Sequence, residues 1–376
     1  MMSRLALLLA LVAALVATSS RAEDRIIVRG NYYREASTRV LQPLVTFSKD
    51  LPDERLTVGV DYLLDAISSA SIAAGAAVLG GDKVFTELRH ETAARVSSQL
   101  GGWGLHSYFR YSTETDYVAR ATGLSVSRQL LQRTLTVFGR YSYGFNRAYR
   151  ITNNIGALHP WRSNRVTADG TRPGPTNLLA SHYGAVGATQ LLSPYWMASV
   201  SVETADLQGP QDNPYRSVGN NLPEIHPWRR RRLAPVGEVR WSIPRTPLAL
   251  EQRYRYYIDD WGISAHATDS RLHLRLFHVL RLRARYRFYT QSSARFARAD
   301  GFYLPNDPYR TADPKLSAFV SHTPGIELTY EFDGLARMRP FRWLAGGWVQ
   351  ATYNHVFQTN RFGPARLGSL AFSLAF

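Results

Sequence analysis

The sequence predicts an all-β protein, an antiparallel transmembrane β-barrel of about sixteen strands. Three observations carry this prediction: apolar and charged side chains alternate every second residue, the chain opens with an apolar leader, and its connections are alternately short and long. Fourteen or eighteen strands would also be compatible with them. In barrels of this class the short turns are periplasmic and the long loops are external.

The alternation is clearest in residues 280–288, which read Leu-Arg-Leu-Arg-Ala-Arg-Tyr-Arg-Phe. Successive side chains of a β-strand point to opposite faces, so all four arginines share one face and the apolar residues share the other. A helix would scatter the same arginines around its circumference. A soluble sandwich also alternates and is the alternative, but a lipid-facing apolar surface around a polar lumen accounts better for a face of arginines.

The leader, residues 1–22, has the pattern of a signal peptide. Arg4 is followed by the apolar run Leu5 to Val16, and Ser20-Arg21-Ala22 is a candidate cleavage site. An uncleaved anchor is the alternative, but the run is shorter than the ~20 residues that span a membrane. The predicted organisation is therefore a signal peptide over 1–22 and a single barrel domain over 23–376.

The strands follow from the alternation and from the turn residues between the alternating segments. The first eight predicted strands are 25–35, 38–47, 55–64, 86–98, 103–113, 116–126, 133–147 and 177–189. The last eight are 195–204, 233–242, 247–258, 266–277, 280–291, 318–332, 342–357 and 365–376.

Composition narrows the classes of function. The chain has no cysteine, which excludes disulfides, covalently attached c-type haem and cysteine-based metal or redox sites. The formal net charge is +16, and the excess is almost entirely arginine. For an exported protein this charge makes outer-membrane lipid, lipopolysaccharide, small anions or an acidic protein more credible binding partners than nucleic acid. No cofactor motif is present.

Arginines on the polar face of the later strands are the candidate site for anions, because guanidinium groups attract anions and bind carboxylate or phosphate through two parallel hydrogen bonds. Arg89, Arg95, Arg110, Arg120 and Arg140 are assigned to the same face in the earlier strands. The candidates in the later strands are Arg240, Arg253, Arg255, Arg271, Arg275, Arg281, Arg283, Arg285 and Arg287.

Three hypotheses on function follow. The first is a porin-like channel that passes or binds small anionic solutes. The second is a non-conducting scaffold in which Arg–Glu pairs only brace the barrel and which holds a lipoprotein or an exported electron carrier. The third is a barrel lipid hydrolase, but neighbouring pairs such as Ser181-His182 point to opposite faces of a strand. We therefore predict no catalytic residue and no enzyme.

Two further features concern the loops and the last strand. The phrase His-Pro-Trp-Arg occurs twice, with His159 and Trp161 in one copy and His226 and Trp228 in the other. The copies either present a shared ligand site or form corners between a loop and a strand, and the corner is favoured. The apolar face of the last strand runs to Phe376, a pattern typical of the strand that outer-membrane assembly machinery reads. The acids Asp259, Asp260, Asp300, Asp307 and Asp313 have no EF-hand spacing, so no metal site is predicted.

Three phrases carry a family resemblance: the segment from Asp61 to Ser71, the segment Tyr254–His266 with its Asp-Asp-Trp-Gly, and the segment Pro308–Phe319 with its Asp-Pro-Lys-Leu. They resemble an uncharacterised family of outer-membrane barrels of Gram-negative bacteria, over most of the chain from about Gly30 to Phe376. The resemblance implies the barrel fold and an outer-membrane location, and it implies no particular activity.

Overall fold

The computed structural model describes residues 24–36, 38–51, 55–69, 85–151, 158–160, 177–213, 216–219 and 221–376. The predicted signal peptide lies outside them. Sixteen strands, numbered here in chain order, form one closed sheet. The first eight are β1 (Arg25–Arg34), β2 (Thr38–Leu51), β3 (Leu56–Ser69), β4 (Phe85–Leu100), β5 (Trp103–Thr113), β6 (Tyr117–Leu130), β7 (Leu135–Ile151) and β8 (Leu178–Leu191). The last eight are β9 (Trp196–Gln208), β10 (Arg229–Ser242), β11 (Leu248–Asp259), β12 (Ser264–Leu276), β13 (Leu280–Gln291), β14 (Phe319–Glu331), β15 (Trp348–Gln358) and β16 (Ala365–Ala375).

Every strand pairs antiparallel with its neighbours in the chain, and β1 pairs with β16 to close the barrel. The closing register runs without interruption from Arg25 opposite Ala375 to Arg34 opposite Arg366. A closed sheet has no edge, so each of the sixteen strands has a partner strand on both sides, as a membrane interior requires. The predicted antiparallel sixteen-stranded barrel is confirmed.

Among the described residues, no helix is long and apolar enough to cross a membrane.

Several predicted strand ends differ from the structure by four residues or more, among them the following three. Strand β15 begins at Trp348 rather than Arg342, because two 3₁₀ segments, Phe332–Arg337 and Arg339–Leu344, precede it. Pro340, which has no N–H to donate, lies in the first turn of the second segment. Strand β3 continues to Ser69, and β10 already begins at Arg229, where it pairs with the end of β9.

The two faces of the sheet differ in the way the alternation predicts. One face, here called the apolar face, carries exposed residues such as Leu124, Val200 and Leu370. The opposite, charged face carries the arginines and their acid partners. Arg120 is a correction: it stands opposite Tyr111 on the apolar face, with its guanidinium 5.8 Å from the Tyr111 ring and 6.0 Å from that of Phe145. The pairing with Tyr111 fixes this side, and Arg120 also shares the parity of Leu124 and Val126 within β6.

The two ends of the barrel also differ. Connections at one end, here the short-turn end, are two to five residues long, apart from the sixteen-residue segment between β14 and β15. At the other end, here the long-loop end, described loops span 209–228 between β9 and β10 and 292–318 between β13 and β14. This agrees with the predicted arrangement of short periplasmic turns and long external loops.

A charge placed on the apolar face tests which side of the sheet meets lipid. Leu370 is 61% exposed at the middle of β16, whereas its neighbour Ser369 faces Asn31 and Thr352 on the charged face. Leu370→Arg should lower the free energy of unfolding by about 2–4 kcal/mol in lipid vesicles, because an arginine near the bilayer midplane loses its hydration. Denaturant titration of the reconstituted barrel measures this.

The matched control is Ser369→Arg, which adds the same group one residue away. We expect a change below about 1 kcal/mol for it. Equal losses in the two variants would contradict the assignment of the faces.

Candidate functional site

The nine arginines predicted as an anion site lie together on the charged face of β10–β13 and are here called the arginine cluster. The pairing register fixes their neighbours: Arg271 stands opposite Arg285, and Arg275 stands opposite Arg281. Because like charges directly opposite each other destabilise a sheet, these rows require nearby acids. The structure supplies them on the same face of β9, β10, β11, β12 and β14.

Glu251 on β11 is the centre of the first group of contacts. It is only 3% exposed and accepts hydrogen bonds from Arg240 at 2.7 Å, from Arg271 at 2.5 Å and from the Nε2 atom of His273 at 3.2 Å. A carboxylate this deeply buried is stable only with such partners.

Asp269 on β12 forms the second group. It contacts Arg271 at 3.1 Å and Arg285 at 2.5 Å, and Arg285 approaches it through both Nε and Nη2. The two-pronged contact fixes the orientation of the Arg285 guanidinium plane as well as its position. Arg271 thus bridges the first and second groups.

The remaining arginines of the cluster have simpler partners. Glu203 on β9 receives Arg253 at 3.5 Å and Arg255 at 3.0 Å. The other three ion pairs are Arg275 with Glu331 at 3.5 Å, Arg281 with Glu331, and Arg283 with Glu327. Within the part of the chain that the structure describes, Arg287 alone among the nine has no ion pair; its guanidinium lies 5.2 Å from the Tyr289 ring.

The cluster carries more positive than negative charge. Its nine guanidinium groups meet six carboxylates, those of Glu203, Glu238, Glu251, Asp269, Glu327 and Glu331, which leaves an excess of three positive charges. The ion pairs therefore brace neighbouring strands, and the excess leaves a positive potential on this face.

A polar cavity of about 450 Å³ lies on the charged face of the earlier strands. Arg89, Arg110 and Glu114 contribute to its lining, and so does Ser181. Ser181 does not meet its neighbour His182, which lies on the apolar face and shares a 2.7 Å hydrogen bond with the Tyr141 hydroxyl. The geometry thus separates the Ser–His pair that a hydrolase would need.

The acids near this cavity were missed in the sequence. Burial raises the pKa of Glu114, and the negative charges of Glu87 and Asp116 raise it further, to about 7. The signal was present in Glu114-Thr-Asp116, two acids in a three-residue turn, and in Glu87, the third residue of the neighbouring strand β4. Their approach to Glu87 depends on strand register, which the sequence does not display.

Three connections at the long-loop end pack into one unit, here called the loop body: 209–228, 260–263 and 292–318. Ile225 and Arg310 form a β-bridge between the first and the last of them. Trp261 in the middle connection is 4% exposed and packs edge-on against Phe296 at 5.3 Å. The loops are therefore held by their own small core.

Glu224 is the most deeply buried charged residue of the loop body, with no exposed surface. It accepts hydrogen bonds from the Thr311 hydroxyl at 2.6 Å and from Arg216 at 3.2 Å. Burial alone would raise the pKa of Glu224, but the hydrogen bond from His226 and the charges of His226 and Arg216 outweigh it and lower the pKa to about 2. Glu224 is therefore charged and ties the 209–228 loop to the 292–318 loop.

The structure describes the second His-Pro-Trp-Arg copy in full and only the beginning of the first. His226 is buried, its Nδ1 lies 3.0 Å from the Gln211 carbonyl oxygen, and its Nε2 lies 3.0 Å from the Thr311 hydroxyl. Trp228 immediately precedes β10, and its carbonyl oxygen accepts from the N–H of Gly209. His159 falls in the short strand Leu158–Pro160, which pairs with the end of β7, and Trp161 lies outside the described residues.

The loop acids are engaged by the protein itself. Asp259 accepts from Arg230 and from the backbone N–H groups of Trp261 and Ile263, and Asp313 pairs with Arg216 at 3.2 Å. Across the described ranges, no group of three His, Asp or Glu side chains could hold a metal ion.

Phe376 follows the last residue of β16 at the short-turn end. Its backbone N–H donates to the Asp24 carbonyl oxygen, and its ring lies 6.0 Å from that of Phe47. The role of Phe376 in assembly stays a prediction.

Comparison with known proteins shows the family. The family described as "Protein of unknown function (DUF3570)" matches residues 80–340. The chain belongs to this family. The match covers more than half of the sequence and includes the resembling phrases at Tyr254–His266 and Pro308–Phe319. No curated protein matches the chain.

Two solved structures share the fold. A bacterial polysaccharide outer membrane secretin is similar over 95% of this chain and 100% of its own, with a TM-score of 0.51 and 7% identity. CdiB from Acinetobacter baumannii is similar over 94% of this chain and 61% of its own, with a TM-score of 0.53 and 7% identity. At these identities the likeness concerns the barrel alone.

The buried charge of Glu224 makes the loop body sensitive to acid. Because its folded pKa lies below the ordinary value, the stabilisation is complete above about pH 4.5 and is lost as the pH falls towards 2. Glu224→Gln should remove this dependence and weaken the loop body by about 3 kcal/mol at neutral pH. The rate of trypsin cleavage within 209–228 and 292–318 measures the stability of the loop body, because both loops contain arginines.

The control is Glu238→Gln, which removes a carboxylate whose ion pair, with Arg240, is 3.9 Å long. We expect its loops to resist trypsin as the unchanged protein does. Equal resistance of the Glu224→Gln loops would show that this carboxylate does not hold the loop body.

Proposed function

We propose that this protein is a porin-like barrel of the outer membrane that passes or binds small anionic solutes along its charged face. The single observation that carries the proposal is the arginine cluster, in which nine guanidinium groups meet only six carboxylates. Ion pairing alone would call for equal numbers.

The proposal requires the charged face to line the lumen. Two facts support this: the opposite face carries the large exposed apolar side chains, and a membrane barrel presents such a face to lipid. A barrel of sixteen strands is wide enough to leave an aqueous channel. Residues 1–22 would be the signal peptide that exports the chain, and the name of the secretin with the same fold agrees with an outer-membrane location.

Charge within such a lumen would act on solutes directly. The positive potential extends about 8 Å at physiological salt, so an anion passing the cluster is attracted before contact. The bracing ion pairs hold most guanidinium planes in fixed positions, and Arg287, which has no ion pair within the described ranges, is the arginine best placed to meet a solute.

The loop body favours a narrowed external mouth. Two of its connections are held by the charged face itself. Gln291 donates to the carbonyl oxygens of Lys315 and Ser317, at the end of 292–318, at 2.9 and 2.7 Å. The Arg230 guanidinium lies 4.3 Å from the ring of Trp261 in 260–263. The loops thus lean towards the charged face of the strands, which would be the lumen side under this proposal. A fully closed mouth would instead suit the scaffold hypothesis, in which the barrel holds a lipoprotein or an electron carrier.

Conductance in planar bilayers tests the proposal. The purified protein should conduct and should prefer chloride over potassium in a salt gradient. Arg287→Glu should lower the anion-to-cation permeability ratio roughly twofold to fivefold, because it reverses one lumen charge without breaking an ion pair.

The matched control is Arg147→Glu. Arg147 is exposed on the apolar face of β7, so this variant changes the net charge equally and should leave the ratio unchanged. A closed or cation-selective pore, or equal shifts in both variants, would contradict the proposal.

A further inference from the structure

Three arginines stand side by side on the apolar face where the barrel closes. In the strand register Arg366 of β16 is opposite Arg34 of β1, and Arg34 is in turn opposite Arg39 of β2. His355 of β15 stands opposite Arg366 and extends the row to a fourth strand. All three arginines are exposed, and we call them the seam arginines.

The seam arginines have no acid partners among the residues that the structure describes. None of the three forms an ion pair with any residue that the structure describes, whereas eight of the nine in the arginine cluster do. On the same apolar face, Arg229 pairs with Asp206 at 2.5 Å and Arg231 with Asp260 at 3.4 Å. Adjacent like charges on paired strands repel, so this row calls for a negative group from outside the chain.

The position of the seam arginines in the barrel indicates where the external negative group lies. Arg34 is the last residue of β1, and Arg39 and Arg366 are the second residues of β2 and β16, so all three lie at the long-loop end. Two residues nearer the barrel middle on the same face are the exposed apolar side chains of Tyr32 and Leu41. The seam arginines therefore border the lipid-facing belt, at the level where lipid headgroups begin.

Guanidinium chemistry identifies the group itself. Neighbouring strands are about 4.8 Å apart, so three flexible arginine side chains can converge on one phosphate or on two adjacent ones. Each guanidinium can give two parallel hydrogen bonds to a phosphate. His355 adds a polar group at the end of the row; its Nδ1 lies 3.2 Å from the Tyr353 hydroxyl, and its ring stacks on Phe357 at 4.3 Å.

We propose that the seam arginines, with His355 at the edge, bind the phosphate of a lipid headgroup in the external leaflet. The bound phosphate neutralises the row and bridges β16, β1 and β2, the strands at the closure. This site is separate from the arginine cluster and does not depend on whether the barrel conducts.

Titration of the purified full-length barrel with lipid A that carries both phosphates tests the proposal, with native mass spectrometry as the measurement. The unchanged protein should retain one lipid A. Arg34→Gln, Arg39→Gln and Arg366→Gln should each weaken binding about tenfold, because each removes charge-assisted hydrogen bonds. Arg147→Gln, at an exposed arginine elsewhere on the apolar face, should bind as the unchanged protein does.

Two further ligands separate the sources of phosphate. Lipid A without phosphates should bind at least tenfold more weakly, and inorganic phosphate at the same concentration should not displace the intact lipid. Equal binding of dephosphorylated lipid A, equal binding by the three variants, or displacement by free phosphate would each overturn the proposal. Retained heat-modifiable migration in gels shows that each variant is folded.

Discussion

The structure depends on one constraint: in a membrane interior every backbone N–H and C=O group must find its partner within the protein. The pairing of β1 with β16 meets this constraint by removing the last sheet edge. Once the sheet is closed, each strand has one side towards lipid and one towards the lumen. The two-residue alternation of the sequence then places apolar side chains on one face of the sheet and charged side chains on the other.

Closure also concentrates charge. Arginines that alternate along β12 and β13 become opposite neighbours across the pair, as Arg271 and Arg285 do. Their repulsion is offset by acids such as Glu251 and Asp269, which contact two or more guanidinium groups each. The ion pairs therefore follow from the barrel geometry, and the uncompensated remainder is the charge on which the proposed attraction of anions rests.

The sequence predicted the strand number and the face of the nine candidate arginines because alternation is a local property. It could not predict which acid each arginine meets, because contacts such as Arg255 with Glu203 depend on the register of three strands. The same reason hid the row of Arg34 and Arg366, which are neighbours only through closure of the chain. Arg120 was assigned to the wrong face, and Glu224 carried no local sign that it would be buried between two loops.

Closure is tested most directly by cross-linking across the seam, in a chain that has no cysteine of its own. Asn31 stands opposite Ser369, whereas Ser373 lies four residues away, about 13 Å along the strand. A disulfide needs Cα atoms within about 7 Å. In the membrane-assembled protein, the Asn31→Cys, Ser369→Cys pair should cross-link on oxidation and the Asn31→Cys, Ser373→Cys pair should not. Failure of the first pair, or equal cross-linking of both, would contradict a barrel closed in this register.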